Sequence, residues 1–413
     1  MQLLRRPDFR RLLIGQGISG LGDWMGTFAF MALALTETES SAAVGGILAL
    51  RLLPAGLGGS VAARMAARWD RRRIMLTTDL MRVGVVAVVP LVQGLWWIYV
   101  WAFVLEATSI VFVSARDAAV PDLADEEDLP VANGLMMASS YGGIPLGALA
   151  FGGLAALPLN DSGWFAEHPQ ALVFWIDALT FLASAVLIAR LPRLGGGTAP
   201  EEESSGRLRD AWRLPLVRSV MPATAAVALG LGALFSLGIA LIRDELSASN
   251  TEFGILIALF GVGAGIGLAL TRRLGTDLLT TTRFGVTTMG LLVTSMSLSP
   301  EIWLTYLGAI GFGAGATIAL TSGMSALQSG VRESERVLAF AAFHVVIRIG
   351  LGVAAVVTGA IADGLDTVQL PGDSSISAIR LVLLGCGVVV VLAAQAVRPV
   401  ATPASTTEPT AAP

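Results

Sequence analysis

The stretch RLLIGQGISGLGDWMGTFAFMALAL, residues 11–35, decides the class of this protein, because after Arg11 it carries one ionisable side chain, Asp23. A helix rises about 1.5 Å per residue, so the run is long enough to cross a hydrocarbon layer about 30 Å thick. Gln16, Ser19, Gly20, Asp23 and Thr27 recur three and four apart, which gathers the polar and small side chains on one face. Such a face belongs against other helices rather than lipid. Arg5, Arg6, Arg10 and Arg11 precede the run. It continues too long, and without a clean small-residue cleavage site, for a cleavable signal peptide. A first transmembrane helix is expected.

Working outward, apolar runs of similar length broken by charge, Pro or Gly clusters predict helices near 41–63, 74–95, 97–118, 131–157 and 170–190. A second set follows near 217–242, 252–271, 283–299, 302–327, 336–362 and 376–397. The expected fold is an all-α integral membrane protein with twelve transmembrane helices in two six-helix bundles, 1–190 and 217–397. Between them lies a polar cytoplasmic linker, 191–216, with Gly195-Gly196-Gly197 and Glu201-Glu202-Glu203. The Thr-, Pro- and Ala-rich tail, 398–413, is expected to be disordered and cytoplasmic. Arginine placement orients the chain, since short cytoplasmic loops retain Arg. Of 27 basic residues, all arginine, Arg243 and Arg380 fall on one side and Arg51, Arg82 and Arg348 within helices. The other 22 share the side of the N-terminus, so both termini are expected to be cytoplasmic in a multi-pass protein of the plasma (inner) membrane.

Composition agrees: 54% of the 413 residues are hydrophobic and 14% charged, with mean hydropathy +0.73. A soluble domain carries about 25% charged residues, so two large soluble domains are excluded. The net charge of −4 argues against a nucleic-acid partner. Cys386, the single cysteine, excludes an intrachain disulfide and a Cys-cluster metal site. His168 stands alone near Asp161 and Glu167, and Gly261-x-Gly263-x-Gly265 follows no strand and lies in an apolar run, so neither marks a metal or nucleotide site. No cofactor, no metal and no enzyme activity are expected.

An ionisable group near the bilayer centre costs a few kcal/mol and faces a cavity or a partner. Asp23 in the first helix and Arg51 in the second, three residues before Pro54, can neutralise each other, as a structural ion pair or as a protonation-linked switch. Glu106, with Ser109 one turn on, and Asp177, with Thr180 and Ser184 on its side, are candidate proton carriers. His344 and Arg348, four apart, share a helix face. An unperturbed imidazole titrates near physiological pH, although a lone membrane histidine also serves as a packing residue. In the fifth helix, Gly142, Gly143, Pro145 and Gly147 allow close approach and a kink, read either as packing or as a movable hinge.

Three motifs then show a resemblance. Arg6-Pro-Asp-Phe-Arg-Arg-Leu-Leu with Gly15-Gln16 and Gly22-Asp23-Trp24 opens the chain. Arg68-Trp69-Asp70-Arg71-Arg72-Arg73 with Asp79-Leu80-Met81-Arg82 follows the second helix. Ser114-Ala115-Arg116-Asp117-Ala118-Ala119-Val120-Pro121-Asp122-Leu123 with Leu129 and Ala132-Asn133-Gly134-Leu135 follows the fourth. Together they resemble twelve-helix exporters of the major facilitator superfamily, in the branch of macrolide efflux proteins and the enterobactin exporter. The resemblance extends along the whole chain in topology and rests on motifs in the first half. Two positions depart from the pattern: the usual acidic latch before the basic turn is replaced by Ala67, and Ile144 precedes Pro145 where Gly is usual.

The resemblance implies two bundles rocking about a midplane cavity, and hence proton-coupled efflux of a drug-like, macrolide-like or siderophore molecule by a monomer. Its partners would be the small-molecule substrate, protons and membrane lipid. Asp23, Arg51, Glu106, Asp177, His344 and Arg348 would line the cavity. Arg68, Asp70, Arg71, Arg72, Asp79, Arg82 and Arg116 would form a cytoplasmic gating network, Asp70 and Asp79 substituting for the missing acid. A lysophospholipid or lipid transporter, or a non-transporting sensor or scaffold of the same fold, are the alternatives.

Overall fold

The computed structural model describes residues 3–158, 163–168, 170–195, 208–271, 273–274, 277–365, 368–369 and 375–397. The centre of the expected linker, 196–207, the expected disordered tail, 398–413, and Asp161 lie outside them.

Pro7 opens α1 (Pro7–Thr38), where its missing amide leaves no helical bond unmade. The helix closes on Glu39, in left-handed backbone conformation at φ 54°. Ser40 caps α2 (Ser41–Arg68) by accepting the Ala43 amide at 3.1 Å, and Asp70 caps α3 (Arg71–Val88) by accepting the Arg72 amide at 3.0 Å. The helix expected over 74–95 stops at Val88 and tightens through Val89–Leu91, because Pro90 lacks an amide and disfavours helical backbone before it. The next helix, α4, runs Leu95–Leu123. The helix expected over 97–118 therefore runs on through residues 119–123. The fifth crossing is two rods, α5 (Leu129–Tyr141) and α6 (Gly143–Ala155), broken at Gly142. Pro145 has no amide for the carbonyl four residues back.

After the short α7 (Gly163–Glu167), α8 (Ala171–Ile188) ends the first half. The second half holds the short α9 (Leu208–Ala211), then α10 (Pro215–Ala240) with a wider turn through Glu245, α11 (Asn250–Thr271) and α12 (Leu278–Ser297). It finishes with α13 (Ile302–Gly330), α14 (Glu333–Gly364), a hairpin of β1 (Val368–Gln369) and β2 (Ser375–Ile376), and α15 (Ala378–Ala394). The short helices and the hairpin carry no apolar periodicity and were not expected. Among the described residues, nine helical stretches are long and apolar enough to cross a membrane, with Ser41–Arg51 and Ala378–Ala394 as shorter apolar helices.

The halves meet along two seams, α2 against α14 and α6 against α11. Every hydrogen bond joining the halves among the described residues lies at the end carrying the α1–α2 turn. There Ser40, Ser41 and Ala42 bind Asp363, Ser236 binds Ser41, Arg243 binds Thr36, and Thr251 binds Gly152. One apolar cluster crosses both halves. Toward the opposite end, Phe9, Leu12 and Phe112 pack only with first-half residues, and Val217, Leu327 and Phe343 only with second-half ones. The bundle is therefore closed at one end and parted at the other.

Candidate functional site

Arg51, on α2, is the centre of the cluster that α1, α2 and α4 bring together. Its Nη2 lies 3.3 Å from Asp23 Oδ2 and 3.3 Å from Glu106 Oε2. Its Nη1 donates to the Thr27 hydroxyl and, at 3.4 Å, to the Asp23 carbonyl. The guanidinium also sits 5.7 Å from the Trp24 ring centroid, within range of a cation–π attraction. The three charged side chains keep 13%, 20% and 16% of their surface exposed, so the cluster is partly accessible rather than sealed. One permanent cation thus faces two carboxylates on different helices, and Asp23 Oδ1 has no partner. A proton on either acid leaves Arg51 balanced by the other.

A second convergence lies beside it at Ser140. Its carbonyl accepts the Trp24 indole N–H at 3.2 Å, and its hydroxyl accepts Gln16 Nε2 at 3.4 Å and Arg116 Nη1 at 2.9 Å. The Ser140 bond ties Arg116 to the α5 break, and the same guanidinium holds its α4 neighbour Asp117. At Gly143 and Gly147 a Cβ would come within 2.7 Å and 2.8 Å of the Gly20 and Leu21 carbonyls, so α6 packs directly on the α1 backbone.

The remaining expected cavity residues make no ion pair with Arg51. Asp177 is fully buried against Gly22 and Gly26 of α1, accepts only the Thr180 hydroxyl at 3.2 Å, and leaves Oδ2 unpartnered. His344 and Arg348 are exposed on α14, and neither has an ion pair among the described residues. Glu106 lies within electrostatic range of Arg348, yet no hydrogen bond joins them.

Apart from Arg116 and Arg68, the expected gating group divides in two. At the parted end, Arg71 pairs with Asp122 at 2.7 Å, Asp70 accepts the Leu194 amide at 3.4 Å, and Arg72 donates to the Ala189 carbonyl. Arg68 has no ion pair among the described residues. Asp79 and Arg82 form a separate, buried ion pair, with the guanidinium between Phe112 and Phe181 at 4.2 Å and 4.4 Å. Asp79 lies two turns inside α3, roughly 12 Å of helix from Arg71, too far to join the surface group. Thr27, Trp24 and Ser140 were not singled out as site residues, although Thr27 and Trp24 stand one turn and one residue from Asp23. Among the described residues no group of three His, Cys, Asp or Glu side chains is placed to hold a metal.

The Major Facilitator Superfamily model matches residues 12–241. The chain is 28% identical over 286 residues to the uncharacterised MFS-type transporter YfiS of Bacillus subtilis (strain 168), spanning 65% of this chain and 66% of that protein. It is 25% identical over 287 residues to the uncharacterised MFS-type transporter Rv0037c of Mycobacterium tuberculosis (strain ATCC 25618 / H37Rv), covering 64% of each. The chain thus spans slightly under two thirds of the length of the curated relatives it matches. In fold it is similar to a bacterial homologue of the human lysosomal transporter Spinster, solved inward-facing and unoccupied, with TM-score 0.76, 16% identity and coverage of 94% and 95%. It is also similar to the nucleoside transporter NupG, with TM-score 0.72, 12% identity and coverage of 94% and 98%.

Proposed function

We propose, on the premise that this chain belongs to the major facilitator superfamily and is a multi-pass secondary transporter of small molecules rather than an enzyme, that it is a proton-coupled exporter. Its cargo in this reading is a drug-like, macrolide-like or siderophore molecule, moved by alternating access across the plasma (inner) membrane by a monomer. Twelve helices cross, in bundles 1–190 and 217–397, with both chain ends cytoplasmic. The arginine distribution supports that orientation. The closed end is then the outer one and the state is inward-facing.

The observation that carries the reading is Arg51 held 3.3 Å from both Asp23 and Glu106. A proton on one carboxyl frees guanidinium donors for a polar group of the cargo. Coupling then requires the two states of the bundle to differ in affinity for proton and cargo. Asp177, His344 and Arg348 complete the cavity set in this proposal. Gly142, Gly143, Pro145 and Gly147 form its hinge, and Asp70, Arg71 and Asp122 serve its cytoplasmic end.

The test is flux in proteoliposomes under an imposed pH gradient, with a panel of macrolides, dyes and siderophores. Asp23→Asn and Glu106→Gln are expected to abolish uphill movement while retaining exchange of cargo for cargo. A doubly neutralised protein that still concentrates cargo on the gradient overturns the assignment. A lipid cargo is the second reading, favoured by an apolar groove of about 390 Å³ between α3 and α4, lined by Leu80, Met81, Val85, Trp97 and Trp101. Labelled lysolipid flux in the same vesicles separates the two.

A further inference from the structure

The first amides of α2 are satisfied from the other half of the protein. A helix leaves its first N–H groups without intrahelical partners. Here Ser40 serves Ala43, while the Ser41 and Ala42 amides donate to Asp363 Oδ1 and Oδ2 at 2.9 Å and 3.0 Å. The Ser40 hydroxyl donates to Asp363 Oδ2 at 2.6 Å. Asp363 stands in the last turn of α14, where a negative charge opposes the dipole of its own helix. Across the seam the same charge meets the favourable, positive end of α2, and no cation pairs with it among the described residues. The carboxylate is thus better placed for the neighbouring helix than for its own.

The surroundings build the same contact. One turn before Asp363, Gly359 lies so close to α2 that a Cβ would meet the Ser41 carbonyl at 2.5 Å and the Ala42 amide at 2.6 Å. From α10, the buried Ser236 hydroxyl donates to the Ser41 carbonyl at 2.8 Å. The bonds to Asp363 and from Ser236 require the two halves to be closed at this end. Parting them would return the α2 amides and the carboxylate to water. The contacts therefore differ between the two conformations, which is the condition for a group to bias an equilibrium.

We infer that Asp363 is a gating residue of transport: by capping α2 across the seam it holds this end shut and sets the balance between the state described here and the state open at this end. The inference rests on the alternating-access reading above, but its test reads conformation without cargo or a proton gradient. A failure here leaves the exporter reading standing, and a failed flux assay leaves this inference standing.

The experiment uses the full chain in lipid nanodiscs, with Cys386→Ala as background and spin labels on cysteine pairs for distance measurement by electron resonance. Val92→Cys with Leu298→Cys reports the closed end, and Thr77→Cys with Ser329→Cys the opposite end. Asp363→Asn is expected to move the open-to-closed ratio at the first pair about tenfold toward open, equivalent to about 1.4 kcal/mol, with the opposite change at the second pair. Asp363→Ala is expected to move it further and Asp363→Glu less. Should Asp363→Ala fail to fold, Asp363→Asn and Ser236→Ala still report. Unchanged distributions in Asp363→Asn overturn the inference, as does an equal shift in Glu39→Gln, an acid beside the seam that makes none of these bonds.

Discussion

Removing Arg51 should destabilise the protein more than removing its two partners along with it. At 3.3 Å and an effective dielectric of about 20, each attraction to Asp23 or Glu106 is on the order of 5 kcal/mol before desolvation. Repulsion between the acids and the hydration each ion would otherwise keep offset much of that. Breaking a buried ion pair by deleting one partner costs about 3–5 kcal/mol, whereas replacing the whole set by neutral groups is often neutral or stabilising. The side chains retain 13–20% exposure, so Arg51→Met is placed at the low end, about 3 kcal/mol. On a cooperative unit of 150–250 residues that is a fall of roughly 6–12 °C in Tm. Thermal unfolding of purified protein in detergent at neutral pH measures it. The triple variant Arg51→Met/Asp23→Asn/Glu106→Gln should recover most of the loss while remaining unable to couple. An Arg51→Met protein as stable as the parent, or a triple variant no more stable than the single one, refutes the shared-cation description.

Three other outcomes follow from the geometry. Asp79→Ala strands the Arg82 guanidinium between Phe112 and Phe181 and should cost about 3–5 kcal/mol, with Asp79→Leu/Arg82→Met recovering it in the same unfolding assay. Gly147→Leu drives a side chain into the α1 backbone, whose Leu21 carbonyl and Met25 amide lie 2.8 Å from the would-be Cβ. It should destabilise by about 1–3 kcal/mol, read as lower Tm and lower monodisperse yield. Asp277, which caps α12, has its carboxyl held below the usual range by the Thr280 hydroxyl and by the Thr280 and Leu279 amides. Asp277→Ala should cost about 1 kcal/mol at neutral pH. Because the folded-state value is the lower one, that difference is present above the unfolded carboxylate value of about 4 and should vanish as pH falls through the folded value.

What the sequence determined by itself is the solvent and where the long helices run. Apolar runs too long for a soluble core, separated by arginine clusters, carry their information locally, since each helix must satisfy its own backbone in lipid. The places where the reading failed are local too: Pro90 ended α3 early, and the fourth helix ran on past residue 118 to Leu123. The site was legible only as a list of costly charges. Asp23, Arg51 and Glu106 lie on three helices, and a helix period says which face a charge takes but not which neighbour meets it. Tertiary packing decided that Arg51 serves both acids while Asp177 serves none, and that Asp79 and Arg82, three apart on one helix, close on each other inside the first half. Asp363 was the least visible, although an acid in the last turn of a helix is a misfit with its own dipole and so a faint signal. Only the approach of α14 to the first amides of α2 gives that misfit a partner, because a hydrogen bond is made by position in space, and these groups stand more than 320 residues apart along the chain.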